Sequence, residues 1–213
     1  MKTVVLDLDD FSVICNRMDL LTMLREHYED FKISLFTIPH DFRAEQTLLR
    51  VERDKMLRHI KENLDWMQII PHGLVHLPRE FENCDRETME LSLQAIEGQF
   101  AIDGLPFVKG FKAPYWLWNK EVVEVLNKHK WFGAVDRNQP DMLKTHQYYV
   151  YDFSIDEPFW ESDKEVLKLH GHMTKPSDND LESCLLNLFK LPLDTKFKFV
   201  TDFLEYDKNT SVS

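Results

Sequence analysis

Asp9 and Asp10 close an apolar run near the N-terminus, VVLDLDDF, and two imidazole pairs follow far downstream: His72 and His76 in PHGLVH, then His170 and His172 in LHGH. One carboxylate and two imidazoles can hold a divalent metal with coordination positions left open, and a further carboxylate and imidazole beside it can move protons. Two adjacent carboxylates repel each other unless a cation lies nearby, and a bound metal offsets that repulsion. Each part alone also has a plain structural reading, as solvated turn acids or as histidines satisfied in a core or on a surface. His72 and His76 stand in the apolar stretch IIPHGLVHLP, where an unpartnered ring is costly. Their spacing of four predicts two imidazoles on one side of a helical turn.

To meet, these residues need elements that end near one another. Short apolar or β-branched runs predict strands over Thr3 to Leu8, Lys32 to Ile38, Met67 to Ile70, Phe107 to Phe111, Phe132 to Val135, Tyr148 to Phe153, Val166 to Leu169 and Lys196 to Val200. Helices are predicted between them: Asn16 capping one to about Tyr28, then Arg43 to Glu62, Asp85 capping one to about Phe100, Asn119 to Lys130, and Asp178 to Lys190. Such alternation demands parallel strands with crossover helices, which an open doubly wound sheet and a closed barrel both satisfy. Neighbouring residues on a strand face opposite ways, so Asp9 and Asp10 reach one site only if the strand ends or twists there, with Phe11 and Ser12 as the expected exit. Asp9 and Asp10, His72 and His76, Lys112 to Tyr115, and His170 each follow a predicted strand. The C-terminal strand ends of parallel folds form one face where catalytic groups collect, so the four clusters are expected to converge.

A chain of 213 residues is long enough for one sizeable core, which predicts a single domain over residues 1–206 and a polar, fraying tail over 207–213. The net charge of -11, with no stripe of Lys and Arg, argues against nucleic acid as a partner. No run of about 18 apolar residues occurs, so no membrane span is expected. Asp7 breaks the first apolar stretch before it reaches the length of a signal peptide, and a cytoplasmic location is the expectation. Cys15, Cys84 and Cys184 are odd in number and far apart, which suits reduced core thiols.

Taken in order, these motifs resemble the polysaccharide deacetylase (NodB homology) superfamily over residues 3 to about 200. Its Thr-Phe-Asp-Asp-Gly motif looks like Asp7-Leu8-Asp9-Asp10-Phe11, its His-x-x-x-His like His72 to His76, its Arg-x-Pro-Tyr like Lys112-Ala113-Pro114-Tyr115, and its Leu-x-His like Leu167-Lys168-Leu169-His170. The resemblance implies a distorted or incomplete (β/α) barrel of about seven parallel strands. It implies Asp9 as general base, Asp10, His72 and His76 as ligands of one divalent metal, the Tyr115 backbone N–H as an oxyanion donor and His170 as general acid. Zn2+ suits two imidazoles and a carboxylate, and Co2+, Ni2+ or Fe2+ accept the same set. The implied activity is removal of an acetyl group from an N- or O-acetylated sugar or related amide by metal-activated water, with a carbohydrate or small acetylated molecule as partner. Lys112 stands where the family has Arg and lacks the two-bond grip of a guanidinium. Asp7 and Phe11 stand where it has Thr and Gly, and of its Asp-x-x-Trp motif only the scattered candidates Asp136, Asp152 and Trp160 are found. Trp116 and Trp160, with Tyr115 and Trp118, are candidates for a stacking wall against sugar rings as well as for core packing. His172 is a further candidate for substrate contact, or for sharing the role of His170. Two other readings remain: a haloacid-dehalogenase-like phosphatase with Asp7 as nucleophile and Asp9 as acid/base, and a non-catalytic protein of the deacetylase fold.

Overall fold

The computed structural model describes residues 1–13, 15–40, 50–173 and 181–206. Its centre is β1 (Thr3–Phe11), buried from Val4 onward because one face packs in the main core and the other lines the barrel interior. β1 pairs in parallel with β2 (Ile33–Thr37), β8 (Val166–His172) and β9 (Lys196–Lys198). With β3 (Met67–Pro71) and β7 (Phe153–Ser154) they form a six-stranded sheet of order β3-β2-β1-β8-β7, β9 joining β1 off that path. A four-stranded sheet of order β10-β6-β5-β4 carries β4 (Gly110–Phe111), β5 (Phe132–Val135), β6 (Gln147–Val150) and β10 (Glu205–Tyr206). Only β10 runs antiparallel among the described strands.

The sheets meet at one parallel bridge, His72 to Lys112, and where the chain passes from β6 to β7. Among the described residues no continuous ladder closes the ring, and the architecture is a distorted, incomplete barrel. The described strands number ten against the eight that the sequence predicts; β1, β3 and β8 run past their expected ends, whereas β2, β4, β6 and β9 are shorter than expected. The run Phe107 to Phe111 pairs only over Gly110–Phe111, and Tyr148 to Phe153 divides between the two sheets, with Asp152 donating its N–H to the Lys168 carbonyl at the crossing (2.7 Å).

Strand alternation decides what the barrel encloses. Val4, Leu6 and Leu8 join the main core, whereas Val5 packs inside with Phe36, Ile70, Phe132, Ala134, Tyr149 and Val200. Asp7 and Asp9 share the face of Val5 and rise from this inner apolar floor toward the C-terminal mouth. β8 repeats the pattern, because Leu167 and Leu169 enter the main core and His170 and His172 fall on the other face. Gly171 between them is a packing requirement, since a Cβ there would lie 2.4 Å from Ile155 Cδ1.

The helices sit near their expected positions. α1 (Met18–His27) buries Met18, Leu20, Leu21 and Leu24; Arg17 holds its N-cap position, and Asn16 accepts from the Met18 N–H at 3.3 Å without capping the helix. α2 (Arg50–Lys61) matches the later part of the predicted Arg43 to Glu62 helix, whose start lies outside the described residues. Asp85 caps α3 (Arg86–Asp103) through the Thr88 N–H at 2.8 Å, and Asn119 caps α4 (Lys120–Lys128) through the Val122 N–H at 3.1 Å. α5 (Leu181–Leu186) continues as a 3-10 turn to Lys190; residue 178 and the predicted tail 207–213 lie outside the described residues. Cys15, Cys84 and Cys184 are not joined in disulfides, and no helix among the described residues is long and apolar enough to cross a membrane.

Candidate active site

Asp10 leaves the β1 ladder in the left-handed region at φ 64, within a register shift between Leu8 and Phe11. Asp tolerates this backbone better than most residues, and the twist turns Asp10 toward the mouth that Asp9 already faces. The strand therefore twists at Asp10 and rejoins β2 at Phe11, opposite Thr37, before it ends.

His72 and His76 also reach that mouth, but not on a helical turn. His72 extends β3 through its bridge to Lys112, and the loop then turns through Gly73 (φ 63) to His76 (φ 60). Gly73 is required here, because a Cβ would lie 2.7 Å from Pro114 Cγ. The Glu80 carboxylate gathers the loop by accepting from the N–H groups of Leu74 (3.0 Å), Val75 (3.1 Å) and Leu77 (3.3 Å). His72 Nδ1 lies 3.1 Å from the Lys112 carbonyl, which fixes the ring with Nε2 toward Asp10. Asp10 Oδ1 is 2.8 Å from His76 Nε2 and 3.4 Å from His72 Nε2, and the three ligand atoms lie within 4.8 Å of one another. Burial pushes the Asp10 carboxyl up, yet the hydrogen bonds and charges of His72 and His76 outweigh it and hold the group well below the usual carboxylate range. The same contact, against burial, raises His76.

Beside this group lies a fully buried network. Lys112 Nζ sits 2.7 Å from Asp7 Oδ1 and 2.7 Å from Asp9 Oδ1, with the Phe36 ring centroid 3.9 Å away and that of Trp116 4.5 Å away. Asp7, 0% exposed, also meets His170 Nδ1 at 2.8 Å, which turns His170 Nε2 toward Asp9 Oδ2 at 3.8 Å. His72 Nε2 and His172 Nε2 lie 3.8 and 3.9 Å from the same oxygen. Burial raises the Asp9 carboxyl, but Lys112 first, then His72, His170 and His172, bring it down to about 2. Burial, partly offset by Asp9, lowers His172. Lys112 thus grips Asp9 through one bond and Asp7 through another. With Asp10 included, three carboxylates against one ammonium leave two negative charges uncompensated, a deficit that suits one divalent cation at the Asp10, His72 and His76 group.

The turn Pro114–Trp116 carries two consecutive left-handed residues, Tyr115 (φ 58) and Trp116 (φ 62). It sets the 57% exposed Tyr115 beside His76, ring centroids 5.5 Å apart, and Trp116 edge-on to His170 at 5.3 Å. Tyr151 completes this wall 4.8 Å from His170, with its hydroxyl donating to Asp136 at 2.7 Å. Trp118 is instead buried against Phe111 at 5.9 Å, and Trp160 packs on Phe159 at 5.3 Å with the Lys190 ammonium 3.4 Å from its ring. Asp152 is engaged with Lys164 Nζ at 2.7 Å. Asp7, Tyr151 and Glu80 are residues of this mouth that the sequence does not place in a metal-dependent site. Asp7 alone had a visible signal, its i, i+2 relation to Asp9. Its burial and two strong partners leave it no freedom to attack a phosphate, against the phosphatase reading.

The incomplete parallel barrel with this mouth is the fold of the family 4 carbohydrate esterases, the polysaccharide deacetylase (NodB homology) fold. Solved structures that share it include a family 4 carbohydrate esterase from Streptomyces lividans in complex with acetate, 14% identical over 89% of this chain and 85% of that one, TM-score 0.59. A family 4 acetyl xylan esterase from Clostridium thermocellum in complex with a cobalt ion is 10% identical over 94% and 89% of the two chains, TM-score 0.60. A family 4 pseudoenzyme from Bacillus anthracis is 15% identical over 94% of this chain and 64% of that one, TM-score 0.60. No family profile and no curated protein matches the sequence.

Proposed function

We propose that this chain is a metal-dependent deacetylase that hydrolyses an acetamide or acetyl ester on a sugar or related small molecule. The observation that carries this reading is the convergence of His72 and His76 on Asp10 Oδ1, at 3.4 and 2.8 Å, beside an Asp9 carboxylate already held by Lys112.

Asp10, His72 and His76 are the residues that would hold one divalent cation, Zn2+ or else Co2+, Ni2+ or Fe2+. When bound, the cation supplies Lewis acidity toward the acetyl carbonyl and makes water a nucleophile near neutral pH. Asp9, ionised far below neutrality, offers Oδ2 to the water proton while Lys112 restrains Oδ1. Asp7 holds His170 by Nδ1, so that a proton carried at Nε2 can pass to the leaving amine or alcohol. The Tyr115 backbone N–H is the expected oxyanion donor, a role worth on the order of 3 kcal/mol. Tyr115, Trp116 and Tyr151 form the wall against which a sugar ring would stack, with His172 at its edge. The contacts of Trp160 with Phe159 and Lys190 favour a packing role for that ring.

A non-catalytic protein of this fold is the second reading, favoured by Lys112 in place of Arg and by the pseudoenzyme among the structural neighbours. The two part in one assay, acetate release from N-acetylglucosamine oligomers and from acetylated xylan by protein loaded with Zn2+. The deacetylase reading expects turnover on one of them, and Asp10→Ala is expected to lose both bound metal and turnover. Stoichiometric metal with no acetate released from either substrate would favour the non-catalytic reading.

A further inference from the structure

Next to the Asp10, His72 and His76 group stands a second set of three ligand atoms, which the proposed reaction uses only to move protons. These are Asp9 Oδ2, His170 Nε2 and His172 Nε2, again within 4.8 Å of one another. The two sets are built alike: each takes one carboxylate from the end of β1 and two imidazoles, with ring centroids 4.9 Å apart in the first set and 4.8 Å in the second. We infer that Asp9, His170 and His172 form a second divalent-cation site, weaker than the first, whose occupation inhibits the enzyme. Its inhibitory consequence rests on the deacetylase reading; the site itself does not.

Three observations support it. First, the parallel register sets Asp7 opposite His170 and Asp9 opposite His172, and residues two apart on a strand share a face, so all four side chains line the same inner wall. Second, His170 is only 4% exposed and its Nε2 is buried without a hydrogen-bond partner, an arrangement that is costly unless something else engages that nitrogen. Third, the surrounding groups are those that orient metal ligands. His170 Nδ1 is bonded to the Asp7 carboxylate at 2.8 Å, the carboxylate–imidazole pairing typical of metal-bound histidine, and Lys112 occupies Asp9 Oδ1 at 2.7 Å, leaving Oδ2 available.

Asp9 Oδ2 lies 3.8 Å from His170 Nε2 and 3.9 Å from His172 Nε2. Ligands on tetrahedral zinc, with bonds of about 2.1 Å, stand roughly 3.4 Å apart, so closure needs shifts below about 1 Å. The His172 side chain is 37% exposed and gives an ion a way in. The electrostatics set the order of binding. One divalent ion cancels the uncompensated charge of Asp7, Asp9, Asp10 and Lys112, so the second arrives at a neutral cluster and binds more weakly, bringing an anion with it. Once there, it occupies the lone pairs by which Asp9 would accept a proton and His170 would carry one. Activity therefore rises to about one equivalent of metal and falls beyond it.

The test titrates metal-stripped protein with Zn2+ under equilibrium dialysis, comparing the native sequence with His172→Gln and Asp10→Asn, each checked for fold by thermal melting. Two ions per chain are expected for the native protein, the second at least about tenfold weaker, with only the weaker lost in His172→Gln. An anomalous difference map at excess Zn2+ is expected to put its second peak at Asp9 Oδ2, a readout that needs no variant. In the acetate-release assay the falling limb at excess Zn2+, normalised to each protein's own maximum, is expected to vanish in His172→Gln. One ion per chain, lost in Asp10→Asn and unchanged in His172→Gln, would overturn this site and leave the deacetylase reading standing. One ion lost in His172→Gln and kept in Asp10→Asn would support this site and overturn the assignment to Asp10, His72 and His76. No bound ion at all would overturn both.

Discussion

On one side of the mouth, Asp10, His72 and His76 depend on backbone bent into the left-handed region at Asp10, Gly73 and His76, with the His76 ring partly open to solvent. On the other, Asp7, Asp9 and His170 project from regular strands, Lys112 from a strand bridge, and all four are buried. The loop side can adjust its ligand atoms to an ion by moving a few torsions. The strand side keeps its backbone in the central ladder and adjusts only by small side-chain shifts, which suits groups whose distances to one another would set where protons reside. The contrast separates what should control metal affinity from what should control turnover and folding.

The sharpest way to break that contrast is Asp9→Asn. The ion at Asp10, His72 and His76 is expected to stay while acetate release falls by about 10²–10⁴-fold, the range for loss of the general base that the proposed reaction assigns to Asp9. Equal loss of metal would erase the division. Lys112→Met comes next. It leaves Asp7 and Asp9 buried without their counter-ion, and urea unfolding is expected to lose about 3–5 kcal/mol.

Acid should act on the same side. The folded Asp9 carboxyl lies at about 2 against 3.8 for the ordinary group, because Lys112 and the histidines outweigh burial. A depressed carboxyl contributes stability that is complete above its unfolded value and disappears as pH falls through the folded one. In chelator-treated protein, on the order of 2 kcal/mol should therefore vanish between about pH 4 and pH 2, and Asp9→Asn should flatten that part of the profile in denaturant titrations. The smallest effect belongs to the loop. Gly73→Ala forces a side chain into the left-handed region, a strain of about 1–2 kcal/mol, and presses on Pro114. Calorimetry should show Zn2+ affinity reduced by about tenfold, with turnover of the fully loaded protein little changed.

Much of this division was legible in the sequence. The caps at Asp85 and Asn119 and the strand-helix alternation rest on local chemistry, and the fold bears them out. Of the four polar clusters expected after strands, those at His72 and Lys112 follow β3 and β4, whereas Asp9 and Asp10 lie within the end of β1 and His170 within the end of β8. Convergence at the mouth followed from strand direction alone. The partners of Asp7 did not, because Lys112 lies 105 residues away and His170 lies 163; the β1–β8 register brings in His170, and the bridge from His72 to Lys112 brings in the ammonium. Read separately, Asp7 and Lys112 are the places where the chain departs from the motifs it resembles. Placed together, they form a buried ion pair. The loop from His72 to His76 misled for the opposite reason. A spacing of four is also met by a turn with two left-handed residues, and nothing local distinguishes that turn from a helix except Gly73, whose need comes from Pro114 some 40 residues on. Trp118 and Trp160 show the limit of composition, since an aromatic ring near a motif in sequence can still be spent on packing.

The most direct measurement is an anomalous difference map from crystals of protein loaded with one equivalent of Zn2+. A single strong peak is expected within about 2.2 Å of Asp10 Oδ1, His72 Nε2 and His76 Nε2, with Asp9 still on Lys112 and outside bonding distance of the ion. A peak at the cysteines or on the protein surface, or none at that mouth, would contradict the account.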